Sequence, residues 1–129
     1  HQRMTDLRTA KVESVADFID DQAIEHGPDS GDLVVVGWGS TYGPIYQATR
    51  KTGTSFIHLR HLNPLPRNLG KLLARFDKVL VPEMNDGQLI TLLRASLRVE
   101  PVPFNKVTGQ PFLIRELVEK IESLRGASS

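Results

Sequence analysis

The chain has 129 residues, 40% of them hydrophobic, enough for one core that buries roughly two-thirds of the unfolded surface. Sixteen Lys and Arg stand against fifteen Asp and Glu, so there is no net field to gather nucleic acid or a membrane surface. Cysteine is absent, which excludes disulfides, thiolate catalysis and Cys-held zinc or iron–sulfur sites within this chain. No apolar run reaches the ~20 residues of a membrane span and no signal-peptide pattern opens the chain, a composition expected of a cytoplasmic protein. The first residues, His1-Gln2-Arg3-Met4, are those expected of a piece of something longer.

Met4, Leu7, Val12, Val15, Phe18, Ile19 and Ala23 recur at near-helical spacing and predict an amphipathic helix over residues 4–24. No strand precedes it and a polar stretch, residues 26–32, follows. Residues 1–31 therefore read as a helical arm and linker, and residues 32–129 as the domain proper. That domain is organised around Leu33-Val34-Val35-Val36-Gly37-Trp38-Gly39-Ser40-Thr41-Tyr42-Gly43-Pro44, an apolar run that breaks into glycines and then into a proline-started helix. It predicts a buried parallel strand whose carboxyl end turns sharply into a helix amino terminus. Ser40 or Thr41 can cap that helix, Pro44 suits its first turn, and Gly53 closes it.

Residues 54–62 follow as a second strand, with Phe56, His58, Arg60 and Leu62 alternating against Ile57, Leu59 and His61. Leu69, Leu72, Leu73 and Phe76 fall at i, i+3, i+4 and i+7 of a short helix. A third strand spans residues 77–83, with Pro82 marking a departure from regular pairing at its end. Asn85 or Asp86 can cap the next helix, whose Leu89, Ile90, Leu92, Leu93 and Leu97 exceed what one buried face needs, so it is expected to be sandwiched or at an interface. Residues 99–107 are strand-like, but Pro101 and Pro103 remove ladder donors and confine that strand to an edge. The last helix is expected to start within residues 108–111 and to turn Leu113, Ile114, Leu117, Val118, Ile121 and Leu124 to the core. Strands alternating with helices predict an α/β fold, a mostly parallel sheet of four to five strands covered on both faces, with the first strand central.

Open α/β sheets hold ligands at the carboxyl ends of their strands, which directs attention to three places. Gly37, Gly39 and Gly43 form Gly-x-Gly-x-x-x-Gly, one residue longer than a dinucleotide fingerprint. With Ser40 and Thr41 they offer an anion site at a helix start, or simply a close helix–strand contact. No Asp or Glu follows at the ribose position; Arg60 suits a 2′-phosphate, which keeps a dinucleotide among the alternatives. His58 and His61 point to opposite faces of a straight strand and do not make a metal pair; His58 and Arg60 share a face suited to an acidic partner. Glu83 and Asn85, in Val81-Pro82-Glu83-Met84-Asn85-Asp86-Gly87-Gln88, end the third strand, where a carboxylate can serve as a base, orient a partner's charge or accept nearby backbone N–H groups. No Ser-His-Asp set, nucleophile elbow or carboxylate pair can be assembled. No catalytic residue and no metal site is therefore assigned.

The blocks Val35-Val36-Gly37-Trp38-Gly39-Ser40-Thr41-Tyr42-Gly43, His58-Leu59-Arg60-His61-Leu62-Asn63-Pro64-Leu65-Pro66 and Val81-Pro82-Glu83-Met84-Asn85-Asp86-Gly87-Gln88-Leu89, in this order, resemble the carboxyl-terminal region of the alpha subunit of 2-oxoacid:ferredoxin oxidoreductases, most of all the 2-oxoglutarate enzyme. The resemblance implies a fold similar to the transketolase carboxyl-terminal domain. It also implies membership of a machine that oxidatively decarboxylates a 2-oxoacid with coenzyme A, using thiamine diphosphate, magnesium and iron–sulfur clusters and passing electrons to ferredoxin. Those cofactors would be held by other alpha domains and the beta subunit, leaving this chain inert alone. His58, Arg60, His61, Glu83, Asn85 and Gln88 would lie at interfaces with them. The turn formed by Gly37, Gly39, Ser40, Thr41 and Gly43 would be open to coenzyme A phosphates. The rival expectations are a free-standing anion- or dinucleotide-binding module, and an interaction module that forms a homodimer through its leucine-rich helix.

Overall fold

A computed structural model describes residues 21–60, 62, 65–84, 88–97, 100–106 and 110–126. Its centre is β1, Gly31–Trp38. Leu33 and Val35 pack into one hydrophobic cluster, and Val34 and Val36 into another on the opposite face. All four are apolar because a parallel strand covered on both sides has no solvent face to which a polar residue could be assigned.

After a 3₁₀ turn at Gly39–Thr41, helix α1 spans Tyr42–Thr52 and leads to β2, Ser55–Leu59. Helix α2, Leu69–Leu73, then precedes β3, Phe76–Met84. Helix α3 spans Gln88–Leu97, β4 Val102–Lys106 and α4 Ile114–Gly126. The four strands lie in the order β2-β1-β3-β4, every pair parallel. Strand order therefore reverses at β1: β2 lies on one side of it and β3 on the other. Ile45 and Ala48 of α1 share a cluster with Leu117 and Ile121 of α4. On the other face Leu69, Leu72 and Leu73 of α2 pack with Leu89, Ile90 and Leu93 of α3. Both faces are covered and β1 is central, as the apolar pattern predicts.

Several local expectations are corrected. The ladder between β3 and β4 runs through Pro82, from Leu80↔Val102 to Met84↔Lys106, whereas among the described residues pairing with β1 ends at Leu80. The missing amide of Pro82 thus falls where β1 no longer needs a donor. Helix α4 begins at Ile114 rather than at residues 108–111. Glu116, in its first turn, reaches back to accept the Leu113 N–H at 2.8 Å, the carboxylate half of a capping box, and is itself held by the Lys106 ammonium of β4. These two donors keep the Glu116 carboxyl below its ordinary pKa, Lys106 most of all. Leu113 and Ile114 are 47% and 37% exposed instead of entering the core. Phe112 enters it in their place and packs against Phe104 with ring centres 5.4 Å apart.

The expected helical arm lies outside the described residues except for residues 21–24, which are irregular. The stretch expected as linker begins on the sheet: His26 bridges Phe56 in antiparallel fashion along the outer edge of β2.

Candidate functional site

The carboxyl ends of β1, β2 and β3 carry the residues singled out in the sequence, and they divide by what their side chains touch. Gly37 is buried, and a Cβ there would lie 2.6 Å from Ile45 Cδ1, 3.2 Å from Thr41 Oγ1 and 3.5 Å from Phe56 Cε1. It is a packing glycine that lets α1 lie close on β1, and no ligand could occupy its missing side chain's place. Gly39 differs: its φ of +64° is left-handed, a conformation that glycine adopts without steric cost where the chain leaves β1 for the 3₁₀ turn. Around both Gly39 and Gly43 a Cβ would meet no other atom within 4 Å.

The expected capping of α1 is not made. Thr41 stands at the N-cap, yet its hydroxyl donates to the Trp38 carbonyl at 2.8 Å and no side chain caps the helix. That bond stabilises the turn and turns Thr41 inward, where it is buried. Of the five residues expected to face an anion, Gly39, Ser40 and Gly43 are therefore the exposed ones.

Helix α3 has the opposite arrangement. Glu83, at the end of β3, is only 1% exposed. Its Oε2 accepts the Leu89 N–H at 2.7 Å and the Trp38 indole N–H at 2.9 Å, and its Oε1 accepts the Ile90 N–H at 3.2 Å. A carboxylate at this place answers the orphan amides of the helix start and the partial positive charge there. Glu83 is thus not a residue displayed at an interface: burial and three internal donors hold it inside. It does what was expected of Asn85 or Asp86, which lie outside the described residues. Gln88 is exposed at the first position of α3.

On β2, His58 meets Tyr42 edge-on with ring centres 4.8 Å apart, and its buried Nδ1 has no hydrogen-bond partner among the described residues. Desolvation lowers its pKa below 6.5; Glu25 opposes that shift and Arg60 adds to it. Arg60 is exposed just beyond the strand, while His61 lies outside the described residues. A contact set missed from sequence joins them: the Tyr42 hydroxyl donates to Glu25 Oε2 at 3.2 Å, so residues before β1 reach the first residue of α1. The alternation of Ile24 and His26 with Ala23 and Glu25 was the available signal, too short to register as a strand.

Among the described residues no three His, Cys, Asp or Glu side chains converge on a point that could hold a metal, and the sequence has no cysteine for a cluster. The described residues therefore do not fit a metal, and a chain without cysteine offers no thiolate to an iron–sulfur cluster.

No family model matches the chain. It is 39% identical over 122 residues to the 2-oxoglutarate oxidoreductase subunit KorA of Mycobacterium tuberculosis, an alignment covering 91% of this chain and 18% of that protein. It superposes on a chain of the 2-oxoglutarate:ferredoxin oxidoreductase from Magnetococcus marinus with a TM-score of 0.88 and 28% identity, over 96% of this chain and 23% of the other. The chain is homologous to part of the alpha subunit of 2-oxoglutarate oxidoreductase. Subunit alpha of the 2-oxoacid:ferredoxin oxidoreductase 1 of Aeropyrum pernix is 30% identical over 108 residues, 74% of this chain and 17% of that protein. The chain spans less than a fifth of the length of these two oxidoreductase subunits. The sequence resemblance and the α/β fold are both borne out.

Proposed function

We propose that this chain is the carboxyl-terminal, transketolase-like domain of the alpha subunit of a coenzyme A-dependent 2-oxoacid:ferredoxin oxidoreductase, with 2-oxoglutarate as the substrate. It serves assembly of the enzyme rather than bond-making chemistry. The observation that carries this is the superposition at TM-score 0.88 over 96% of the chain, on an enzyme solved with 2-oxoglutarate, coenzyme A and succinyl-CoA bound. The burial and internal bonding of Glu83 support a structural role, because the side chain is 1% exposed and protein donors take three of the about four acceptor sites of its carboxylate.

The thiamine diphosphate, magnesium and iron–sulfur clusters belong, on this reading, to the preceding alpha domains and the beta subunit. Those are the partners against which Arg60 and Gln88 pack, and ferredoxin is the acceptor for the whole enzyme. The exposed part of the α1 turn, Gly39, Ser40 and Gly43, is the portion available to a coenzyme A phosphate, supported by open space at both glycines and by a helix start with no side-chain cap. The enzyme works in the cytoplasm; among the described residues no helix is long and apolar enough to cross a membrane.

The test is to co-express the complete alpha subunit with its beta partner and follow coenzyme A-dependent reduction of a dye with 2-oxoglutarate, pyruvate and a branched 2-oxoacid. Reduction fastest with 2-oxoglutarate is the expected result. No reduction with any 2-oxoacid by a folded, cofactor-loaded complex would overturn the assignment.

A further inference from the structure

Residues 22–28 are bonded to the domain at both ends and in the middle. The Glu25 N–H donates to the Phe56 carbonyl at 2.7 Å and the Phe56 N–H to the His26 carbonyl at 3.0 Å. The Ser55 hydroxyl donates to the Pro28 carbonyl. At the other end the Gln22 side-chain amide donates to the His58 carbonyl at 2.9 Å. The Gln22 backbone also exchanges two bonds, of 2.7 and 2.8 Å, with the side chain of Asn68, the N-cap of α2. In the middle, His26 Nε2 shares a 2.7 Å hydrogen bond with Thr49 Oγ1, and its ring meets those of Tyr46 and Phe56 edge-on at 5.2 and 6.0 Å.

Gly27 makes this approach possible. Its φ is +99°, and a Cβ would fall 2.6 Å from Ser55 Cα and 2.9 Å from the Thr54 carbonyl oxygen, backbone atoms with no freedom to yield. The segment nevertheless adds little to the core: Ile24 is half-buried against it and residues 27–30 are exposed. Contacts of this kind, made along one sheet edge and the helices beside it and partly solvated, open at lower free energy than the strands beneath them. The segment also reaches the α1 turn, because Tyr42, the first residue of α1, is bonded to Glu25 and set edge-on against His58.

We propose that residues 22–28 form a strap that closes over the outer edge of β2, opens as a unit without unfolding the sheet, and is coupled to the α1 turn through Glu25 and Tyr42. The strap gives the β2 edge backbone partners that an edge strand otherwise lacks. It also makes the position of Glu25 a determinant of the geometry of Gly39, Ser40 and Gly43.

The test is amide hydrogen exchange, read by NMR on the 129-residue chain, with Gly27→Val, Tyr42→Phe and the double variant. In Gly27→Val, protection of the Glu25 and Phe56 amides should fall about 100-fold, the loss of a few net hydrogen bonds, while β1 amides keep theirs. Gly27→Val should shift the Gly39, Ser40 and Gly43 amide resonances in the parent chain and leave them unmoved in the Tyr42→Phe background. Should Gly27→Val fail to fold, Gln22→Ala removes one strap bond without steric conflict and should raise exchange at Phe56 about fivefold, the equivalent of one net hydrogen bond. Unchanged protection at Phe56, equal loss at Phe56 and in β1, or additive effects of Gly27→Val and Tyr42→Phe at Gly43 would each overturn the proposal.

Discussion

Helices α1 and α3 begin at the same end of the sheet on opposite faces, and their first turns are finished in opposite ways. The start of α3 is closed from within: Glu83 takes two of its amides and the Trp38 indole together. The start of α1 has no side-chain cap, its N-cap hydroxyl is bonded back to Trp38, and two of its glycines face open space. Sheets of this topology bind ligands where strand order reverses, here between β1 and β3. The Trp38–Glu83 bond lies across that crevice, and the protein's own carboxylate stands where an anionic ligand would meet α3. The contrast favours reading the domain as a wall of a larger site, with its accessible helix start moved to the β1–β2 side.

The strongest way to break the comparison is to empty α3. Glu83→Ala strands two buried backbone amides and a part-buried indole N–H, and should cost about 3 kcal/mol of stability, the sum expected for several unsatisfied donors after relaxation. Trp38 is the sole tryptophan, so urea unfolding followed by its fluorescence measures the loss and reports the altered indole environment directly. A loss under 1 kcal/mol would mean that Glu83 is not the closure of α3. Next in size is Gly37→Ala, whose Cβ would press on Ile45 Cδ1 at 2.6 Å. An overpacking cost of about 1–2 kcal/mol is expected, with no change in the KM for coenzyme A of the assembled enzyme. A raised KM at unchanged stability would put Gly37 back among the ligand-facing residues.

The fold was legible wherever a face decides the residue type. Four consecutive aliphatic residues, Leu33 to Val36, can be satisfied only by cover on both sides of the sheet, and Pro101 and Pro103 can be tolerated only at an edge. The site was legible as a place but not as a wiring. Glu83 caps amides six and seven residues onward, a spacing set by the path between β3 and α3 and by no local motif. The start of α4 escaped because Leu113 has no side-chain oxygen to complete a capping box with Glu116. The strap escaped because backbone groups carry its two β-bridge bonds, and every residue type possesses those except for the N–H that proline lacks.

Acid provides a smaller perturbation, directed at the strap and α4 rather than at α3. Burial, chiefly, lowers His26 and His58 below 6.5, with Arg50 adding to the effect at His26 and Tyr46 and Glu25 opposing it. The unfolded chain then binds more protons than the folded one. The contribution of the two neutral rings is complete above pH 6.5 and is lost as pH falls through their folded values. Glu116 is lowered below 4.5 by Lys106 and the Leu113 amide, so its contribution is present above pH 4.5 and disappears in a second, more acidic step. Urea midpoints measured against pH should show both steps. His26→Asn with His58→Gln should flatten the first alone, and Glu116→Gln the second alone; one step surviving all three substitutions would mean other groups carry it.

The finest test gives α1 what α3 already has. Gly43 is the second residue of α1, exposed, with room for a side chain and no acidic neighbour in the first turn. Gly43→Asp places a carboxylate at the positive end of the helix and replaces the residue with the greatest backbone freedom, and together these should stabilise the domain by about 0.5–1 kcal/mol. Were the turn a passive piece of surface, the assembled enzyme would gain that stability at no cost in function. If instead its amides meet a coenzyme A phosphate, the new carboxylate competes for the same donors and repels the same charge. The KM for coenzyme A should then rise about tenfold, one charge-assisted hydrogen bond, while the KM for the 2-oxoacid stays put. Stability and coenzyme A affinity moving in opposite directions is the signature of an open helix start used by a ligand; a stabilised enzyme with an unaltered KM for coenzyme A would show that the two helix starts differ in structure alone.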